Sequence, residues 1–165
     1  MRRCTLRCTP WFRSSAVQRF ILLRFLPLLA AFNLLWEVLQ LPLHTIWWEA
    51  SNAEIAFAVV HCTFGYLLIG LSALLIALIV TRAGPLPTWP HLQVAAIVVI
   101  VSVGYTIFSE WRNTAVLASW AYSDLMPVVP LLGIGVSPLL QWIVVPTAAL
   151  VLALRLEKQH DDIER

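Results

Sequence analysis

"IAFAVVHCTFGYLLIGLSALLIALIV", residues 55 to 80, decides the class of this protein. The stretch contains no Asp, Glu, Lys or Arg. A helix needs about 20 consecutive, mostly apolar residues to cross the hydrocarbon layer of a bilayer. The stretch exceeds that length, so it is predicted to be a transmembrane helix.

Three more apolar runs have a similar length, and they are Phe25 to Leu43, Leu92 to Trp111 and Pro127 to Leu154. Of the 165 residues, 60% are hydrophobic and 12% are charged, whereas a soluble domain has about 45 to 50% and about 25%. Only helices and closed barrels satisfy the backbone in lipid, and the alternation typical of barrel strands is missing. The sequence therefore predicts an all-α fold, a polytopic membrane protein with four transmembrane helices in a bundle.

The basic residues predict how the helices are oriented. Those that precede the first run, follow the second run or follow the fourth run are Arg2, Arg3, Arg7, Arg13, Arg19, Arg24, Arg82, Arg155, Lys158 and Arg165. Arg112 alone lies on the opposite side. Because cytoplasmic loops carry the excess of Lys and Arg, both termini are predicted to be cytoplasmic. The expected organisation is a basic cytoplasmic segment over 1–24, the transmembrane domain over 25–155 and a cytoplasmic tail over 156–165.

Two of the runs carry polar side chains on a single helix face. Asn33, Glu37 and Gln40 follow the spacing i, i+4, i+7 in the first run, with Trp36 beside them. A similar stripe in the third run consists of Ser102, Thr106, Glu110 and Asn113. Residues at these spacings share one face of a helix. A charge near the bilayer centre costs on the order of 3 kcal/mol, so each stripe is expected to face other helices.

The polar side chains of different runs are expected at a similar depth. At 1.5 Å per residue, Glu37, His61, Glu110 and Gln141 all fall in the non-cytoplasmic half of the bilayer. The sequence therefore predicts a polar cleft that faces the outer leaflet. The "SEWRN" segment at 109 to 113 would form part of its rim.

Two carboxyls and an imidazole at an apolar boundary suit proton transfer, because separate environments can make one group an acid and the other a base. We assign the catalytic positions to Glu37 as acid and to Glu110 or His61 as base. The predicted substrate-binding residues surround them and are Asn33, Trp36, Gln40, Thr106, Arg112, Asn113, Trp120 and Gln141. The expected reaction is an isomerisation, cyclisation or hydration of a lipophilic substrate that enters from the membrane.

Other functions compete with this one. The polar groups can simply join helices, as in a non-catalytic membrane subunit or assembly factor. His44 and His61 suggest a metal- or small-ligand-binding protein, but no HExxH or CxxC spacing occurs, so no metal site is predicted. Phosphate-binding Gly loops and nucleic-acid signatures are absent from the sequence. The expected partners are membrane lipids, and the sequence indicates neither a cofactor, nor an oligomeric state, nor a partner subunit.

Two irregular regions are expected on the outer side. The loops after the first and third runs are rich in Trp and Tyr, which is typical of a membrane surface and also of a roof over a cleft. In the fourth run, Ser137 and Pro138 predict the start of a helix. Residues 127 to 136 are therefore expected to be non-helical or to form a short broken helix.

Several segments resemble an uncharacterised group of small bacterial four-span integral membrane proteins. They are "NLLWEVLQLPL" (33 to 43), "HCTFG" (61 to 65), "YTIFSEWRN" (105 to 113), "WAYSDLMP" (120 to 127) and "GVSPLLQW" (135 to 142). This resemblance implies a multi-pass protein of the bacterial inner membrane and supplies no established reaction. The architecture is also loosely similar to the emopamil-binding (sterol isomerase) type of lipid enzyme, an analogy of fold that assigns no residue.

Overall fold

The computed structural model describes residues 10 to 163 and is mostly helical. Four of its helices are long and apolar enough to cross a membrane. In chain order the elements are α1 (Ser15–Leu43), the short α2 (Ile46–Glu49), α3 (Asn52–Val80), α4 (His91–Val116), β1 (Val128–Val129), β2 (Ile134–Gly135) and α5 (Val136–Ile163). Single 3-10 turns occupy Trp11–Arg13 and Leu86–Thr88.

The helix ends follow local sequence signals. Ser51 and Glu54 form a capping box at the start of α3, in which each side chain bonds to the other residue's backbone N–H. α5 begins at Val136, next to the predicted start at Ser137, and residues 127 to 135 are non-helical as expected. α1 begins at Ser15, ten residues before the apolar run that starts at Phe25. The apolar run indicates only the part of a helix that suits the bilayer, and the helix itself can be longer.

The extra turns of α1 belong to the packed interior. Val17, Phe20 and Phe25 are almost completely buried. They pack in one apolar cluster with residues near the end of α3 and with the middle of α5, including Leu74, Leu78, Val145 and Ala149. This apolar core fills the half of the molecule that contains the start of α1 and the end of α5. α1 therefore runs without a break across residues 24 and 25.

The four long helices contact one another in a ring: α1 packs against α3 and α5, and α4 packs against the same two helices. Large apolar side chains cover much of their outer surface, for example Leu39, Phe57, Phe64 and Leu68. A surface of this kind is unfavourable in water and suits contact with lipid tails.

Candidate functional site

A cavity of about 430 Å³ lies at the other end of the helices from the apolar core. Its walls come from α1, α3 and α4 and from the loops near residues 44 and 120. Both predicted catalytic carboxyls, Glu37 and Glu110, line it and are otherwise buried. Gly65 also lies in the wall. A Cβ added there would have no atom of the described residues within 4 Å, apart from its chain neighbours and the backbone of its own helix. The helix backbone is thus open to the cavity at this point.

A ladder of buried amides holds Glu37. Gln40 Nε2 donates to Glu37 Oε1 at 2.7 Å, and its distance to Gln141 Oε1 is 3.5 Å. Gln141 Nε2 in turn donates to Asn33 Oδ1 at 2.9 Å, and Asn33 Nδ2 donates to the backbone of its own helix. These bonds connect α1 to α5 inside the protein. Polar side chains of this kind join helices in membranes, so the ladder fixes the position of Glu37.

A second chain of hydrogen bonds runs from Trp36 through Ser137 to Gln40 in the ladder. Trp36 Nε1 donates to Ser137 Oγ at 3.2 Å, and Ser137 Oγ donates to Gln40 Oε1 at 2.9 Å. An indole N–H can only donate. The Ser137 hydroxyl must therefore use its own proton for Gln40, which leaves the Gln40 amide group to donate to Glu37.

Glu110 has a different set of partners. Trp120 Nε1 lies 3.4 Å from Glu110 Oε2, and the Tyr122 hydroxyl donates a short hydrogen bond to the same oxygen. Burial and then the bond to Glu110 raise the pKa of Tyr122 above its ordinary value of 10.0, so this phenol keeps its proton and acts as the donor. Glu110 is thus held by aromatic donors from a loop, whereas Glu37 is held by amides from helices.

The loop after α1 and the loop after α4 are joined beside the cavity. His44 and Tyr122 form a backbone bridge, and their rings meet edge to face with centroids 5.7 Å apart. Thr45 N donates to Ala121 O at 3.0 Å, and Ser123 N donates to Leu43 O at 3.0 Å. Burial lowers the pKa of His44 below its ordinary value of 6.5, against the opposing effects of the Gln40 carbonyl and the Glu110 charge. The two joined loops contribute His44 and Trp120 to the cavity wall and are called the roof below.

Next to the cavity, side chains of α3, α4 and α5 surround a small void of about 20 Å³. Polar residues around it include Tyr66, Thr106, Glu110 and Gln141. A space of this size with several polar neighbours can hold one water molecule. Tyr66 lines the larger cavity as well, together with Glu37 and Glu110. Tyr66 therefore contributes to both spaces.

The other predicted residues are placed unequally. Gln40, Asn113 and Trp120 line the cavity with the two carboxyls, while Thr106 lines the small void. The cavity lining leaves out Asn33 and Gln141, which belong to the ladder. It also leaves out Trp36, which reaches Gln40 through Ser137.

His61, predicted as a possible base, and Arg112, predicted to bind substrate, lie farthest from their expected positions in the cleft. His61 lines the cavity at its exposed rim, with its ring stacked on Phe57 at 5.6 Å. Within residues 10 to 163 its ring nitrogens form no hydrogen bond. Arg112 is exposed and does not line the cavity. Since it follows Glu110 by two residues, it lies on roughly the opposite face of the helix.

Four residues near the carboxyls were not among the predicted site residues: His44, Tyr66, Tyr122 and Ser137. Tyr66 follows His61 by five residues in an otherwise apolar stretch, and that isolated polar group was the available signal. Ser137 contacts Gln40, which is far away in sequence, and Tyr122 contacts Glu110 from a loop outside the helix. Helix periodicity therefore gives no signal for either contact.

The metal alternative gains no support from the described part of the chain. Among residues 10 to 163, no group of three or more His, Cys, Asp or Glu side chains is arranged to hold a metal ion. Cys62 is a free cysteine in the cavity wall. No family model, curated protein or solved structure matches this chain.

Proposed function

We propose that this protein is an enzyme of the bacterial inner membrane that acts by acid–base chemistry on a lipophilic substrate. The four helices would form a transmembrane bundle with both termini in the cytoplasm. The basic residues support that orientation, because among the described residues Arg82 and Arg155 lie at the end opposite the cavity and Arg112 lies at the cavity end. The cavity would then lie in the outer half of the bilayer.

The observation that carries the proposal is that two buried carboxyls from different helices line one cavity and have different partners. Glu37 accepts from the Gln40 amide, and Glu110 accepts from Trp120 and Tyr122. Pairs of acidic groups in unlike environments are typical of acid–base catalysis, since one can hold a proton that the other lacks. Most of the remaining wall is apolar or aromatic, which favours a lipophilic substrate.

The substrate would enter sideways from the lipid. Phe57 and His61 stand exposed at the rim of the cavity on α3, and the backbone at Gly65 leaves room behind them. The roof formed by the two joined loops would separate the cavity from the aqueous phase above. A substrate with a long apolar body can therefore keep that body in the bilayer while its reacting carbon atoms approach the carboxyls.

An isomerisation illustrates how the atoms balance. Glu37 gives its proton to one carbon of a C=C bond, which leaves positive charge on the other carbon of that bond. Glu110 then takes a proton from the allylic carbon attached to this second carbon, and the double bond moves by one position. The proton then returns from Glu110 to Glu37, and Tyr66, which lines the cavity with both carboxyls, would pass it on. No co-reactant is consumed. A hydration would use the same two groups with water as the second substrate.

Lipid profiling of cells with and without the gene tests this proposal. We expect one lipophilic compound to accumulate without the gene and to return to its normal level with the wild-type protein. Glu37→Gln and Glu110→Gln should not restore that level. Glu49→Gln should restore it, since Glu49 is an exposed carboxyl on the same side that does not line the cavity.

Gly65→Leu provides a second, independent variant. A leucine side chain would fill part of the cavity without removing a hydrogen bond, so this variant should fold and still fail to restore the lipid. An unchanged lipid profile without the gene, or full restoration by both Gln variants, would refute the proposed chemistry.

The runner-up function is a non-catalytic membrane subunit, assembly factor or ligand-binding protein. It is favoured by the fact that both donors to Glu110 come from the loop after α4, so this carboxyl also fastens the roof. In that case Glu110→Gln would lose folded protein in detergent, and Gly65→Leu would leave the lipid profile normal.

A further inference from the structure

We propose that the end of the molecule opposite the cavity binds the phosphate headgroup of an anionic phospholipid. A groove of about 550 Å³ lies there between the first turns of α1 and the last turns of α5. Its residues take no part in the hydrogen-bond network around Glu37 and Glu110. The inference concerns a binding site that is separate from the proposed reaction.

The charges in the groove favour an anion. α1 contributes Arg19 and Arg24, and α5 contributes Glu157. Arg24 Nε lies 2.6 Å from Glu157 Oε2, so the one carboxylate among the described residues of the groove lining is already paired. Arg19 is exposed and has no ion-pair partner among the side chains that the structure describes. The groove therefore keeps an unpaired guanidinium, a group that suits phosphate because of its planar set of donors.

The apolar part of the groove favours a lipid over a soluble phosphate compound. Leu23, Pro27 and Leu28 follow Arg19 along α1 and line the same groove. Leu23 is 67% exposed. From Arg19 to Leu28 the helix rises about 14 Å, at 1.5 Å per residue. A guanidinium at the membrane surface followed by an apolar wall toward the bilayer matches the headgroup and the acyl chain of a phospholipid. Basic pockets between transmembrane helices bind anionic headgroups in this way.

The first turns of α1, which precede its apolar run, form one wall of this groove. Val17 and Phe20 are buried in the core on the inner face of these first turns, which holds Arg19 on the outer face. The position of Arg19 is thus fixed by packing and does not depend on a loop.

Lipid binding can be measured by native mass spectrometry on the full chain, purified in a zwitterionic detergent. The probes are phosphatidylglycerol and, as the neutral reference, phosphatidylcholine. We expect phosphatidylglycerol to bind more tightly than phosphatidylcholine. Arg19→Gln should weaken the binding of phosphatidylglycerol about fivefold, the usual effect of one basic residue near a membrane surface.

Two further variants distinguish this site from a general charge effect. Arg155→Gln removes the same charge from an exposed position of α5 that does not line the groove, and it should leave the affinity unchanged. Glu157→Gln removes the negative charge of the groove and should increase the affinity. The melting temperature of each variant in detergent verifies folding.

Three results would overturn the proposal. Equal losses in Arg19→Gln and Arg155→Gln would indicate diffuse attraction to the surface. Equal affinities for the two lipids would show that the phosphate charge is not recognised. Displacement of phosphatidylglycerol by an equal concentration of glycerol phosphate would identify a free anion site instead of a lipid site.

Discussion

Gly70→Ala tests the contact between α1 and α3 below the cavity. A Cβ at Gly70 would overlap Leu29 Cδ2, and Leu29 is completely buried. The leucine cannot move into open space, so the added methyl group overpacks the interface. Overpacking of this kind typically costs about 1 to 3 kcal/mol.

Gly65→Ala provides the matched control, because it makes the same change five positions earlier on the same helix. No atom of the described residues, apart from its chain neighbours and its own helix backbone, lies within 4 Å of the new Cβ there. Replacing Gly by Ala in a helix adds about 1 kcal/mol of stability in both variants, and this contribution cancels between them. The difference in unfolding free energy should therefore be about 1 to 3 kcal/mol, with Gly70→Ala the less stable.

Unfolding by SDS in mixed micelles, followed by circular dichroism, measures both variants under one condition. Gly70→Ala should unfold at a lower SDS fraction than Gly65→Ala, and Gly65→Ala should match or exceed the wild type. If the two variants unfold together within about 0.5 kcal/mol, a spread typical of harmless substitutions, the close packing of Gly70 on Leu29 is refuted.

Two further predictions concern the interior and the roof. The double-mutant cycle of Asn33→Leu and Gln141→Leu should give a coupling energy of about 0.6 to 1.7 kcal/mol, the range for hydrogen bonds between membrane helices. Unfolding by SDS measures this energy. A coupling energy near zero would contradict the 2.9 Å hydrogen bond between the two side chains. The stability of the folded protein should fall as the pH drops below 6.5, because burial lowers the pKa of His44 and the unfolded chain then binds a proton that the folded chain does not. His44→Phe keeps an aromatic ring beside Tyr122 and should reduce this pH dependence of the melting temperature, whereas an unchanged slope would mean that His44 is not its source.

The contacts that the sequence could predict are those governed by helix periodicity. Asn33, Glu37 and Gln40 share a face of α1, and a lipid environment forces such a face inward, where the structure joins it to Gln141. The four apolar spans followed from length and composition for the same physical reason.

The contacts that could not be predicted depend on how separate segments meet. Ser137 reaches Gln40 across nearly one hundred positions of sequence, and Tyr122 reaches Glu110 only because the two loops of the roof are paired. The polarity of His61 predicted that its side chain faces inward. Which residues of a helix face inward depends on how the helix is rotated about its axis, and contacts with neighbouring helices set that rotation. The structure places His61 at the rim.

The central claim is that Glu37 and Glu110 line a cavity that is open to the bilayer. A lipophilic carbodiimide, which reaches membrane carboxyls through the lipid, tests it in native membranes, with the modified residues located by peptide mass spectrometry. We expect an adduct on Glu37 or Glu110 in the wild type and a large decrease of that adduct in Gly65→Leu, whose side chain would occupy the cavity. Absence of any adduct at both carboxyls, or labelling that Gly65→Leu leaves unchanged, would contradict the account.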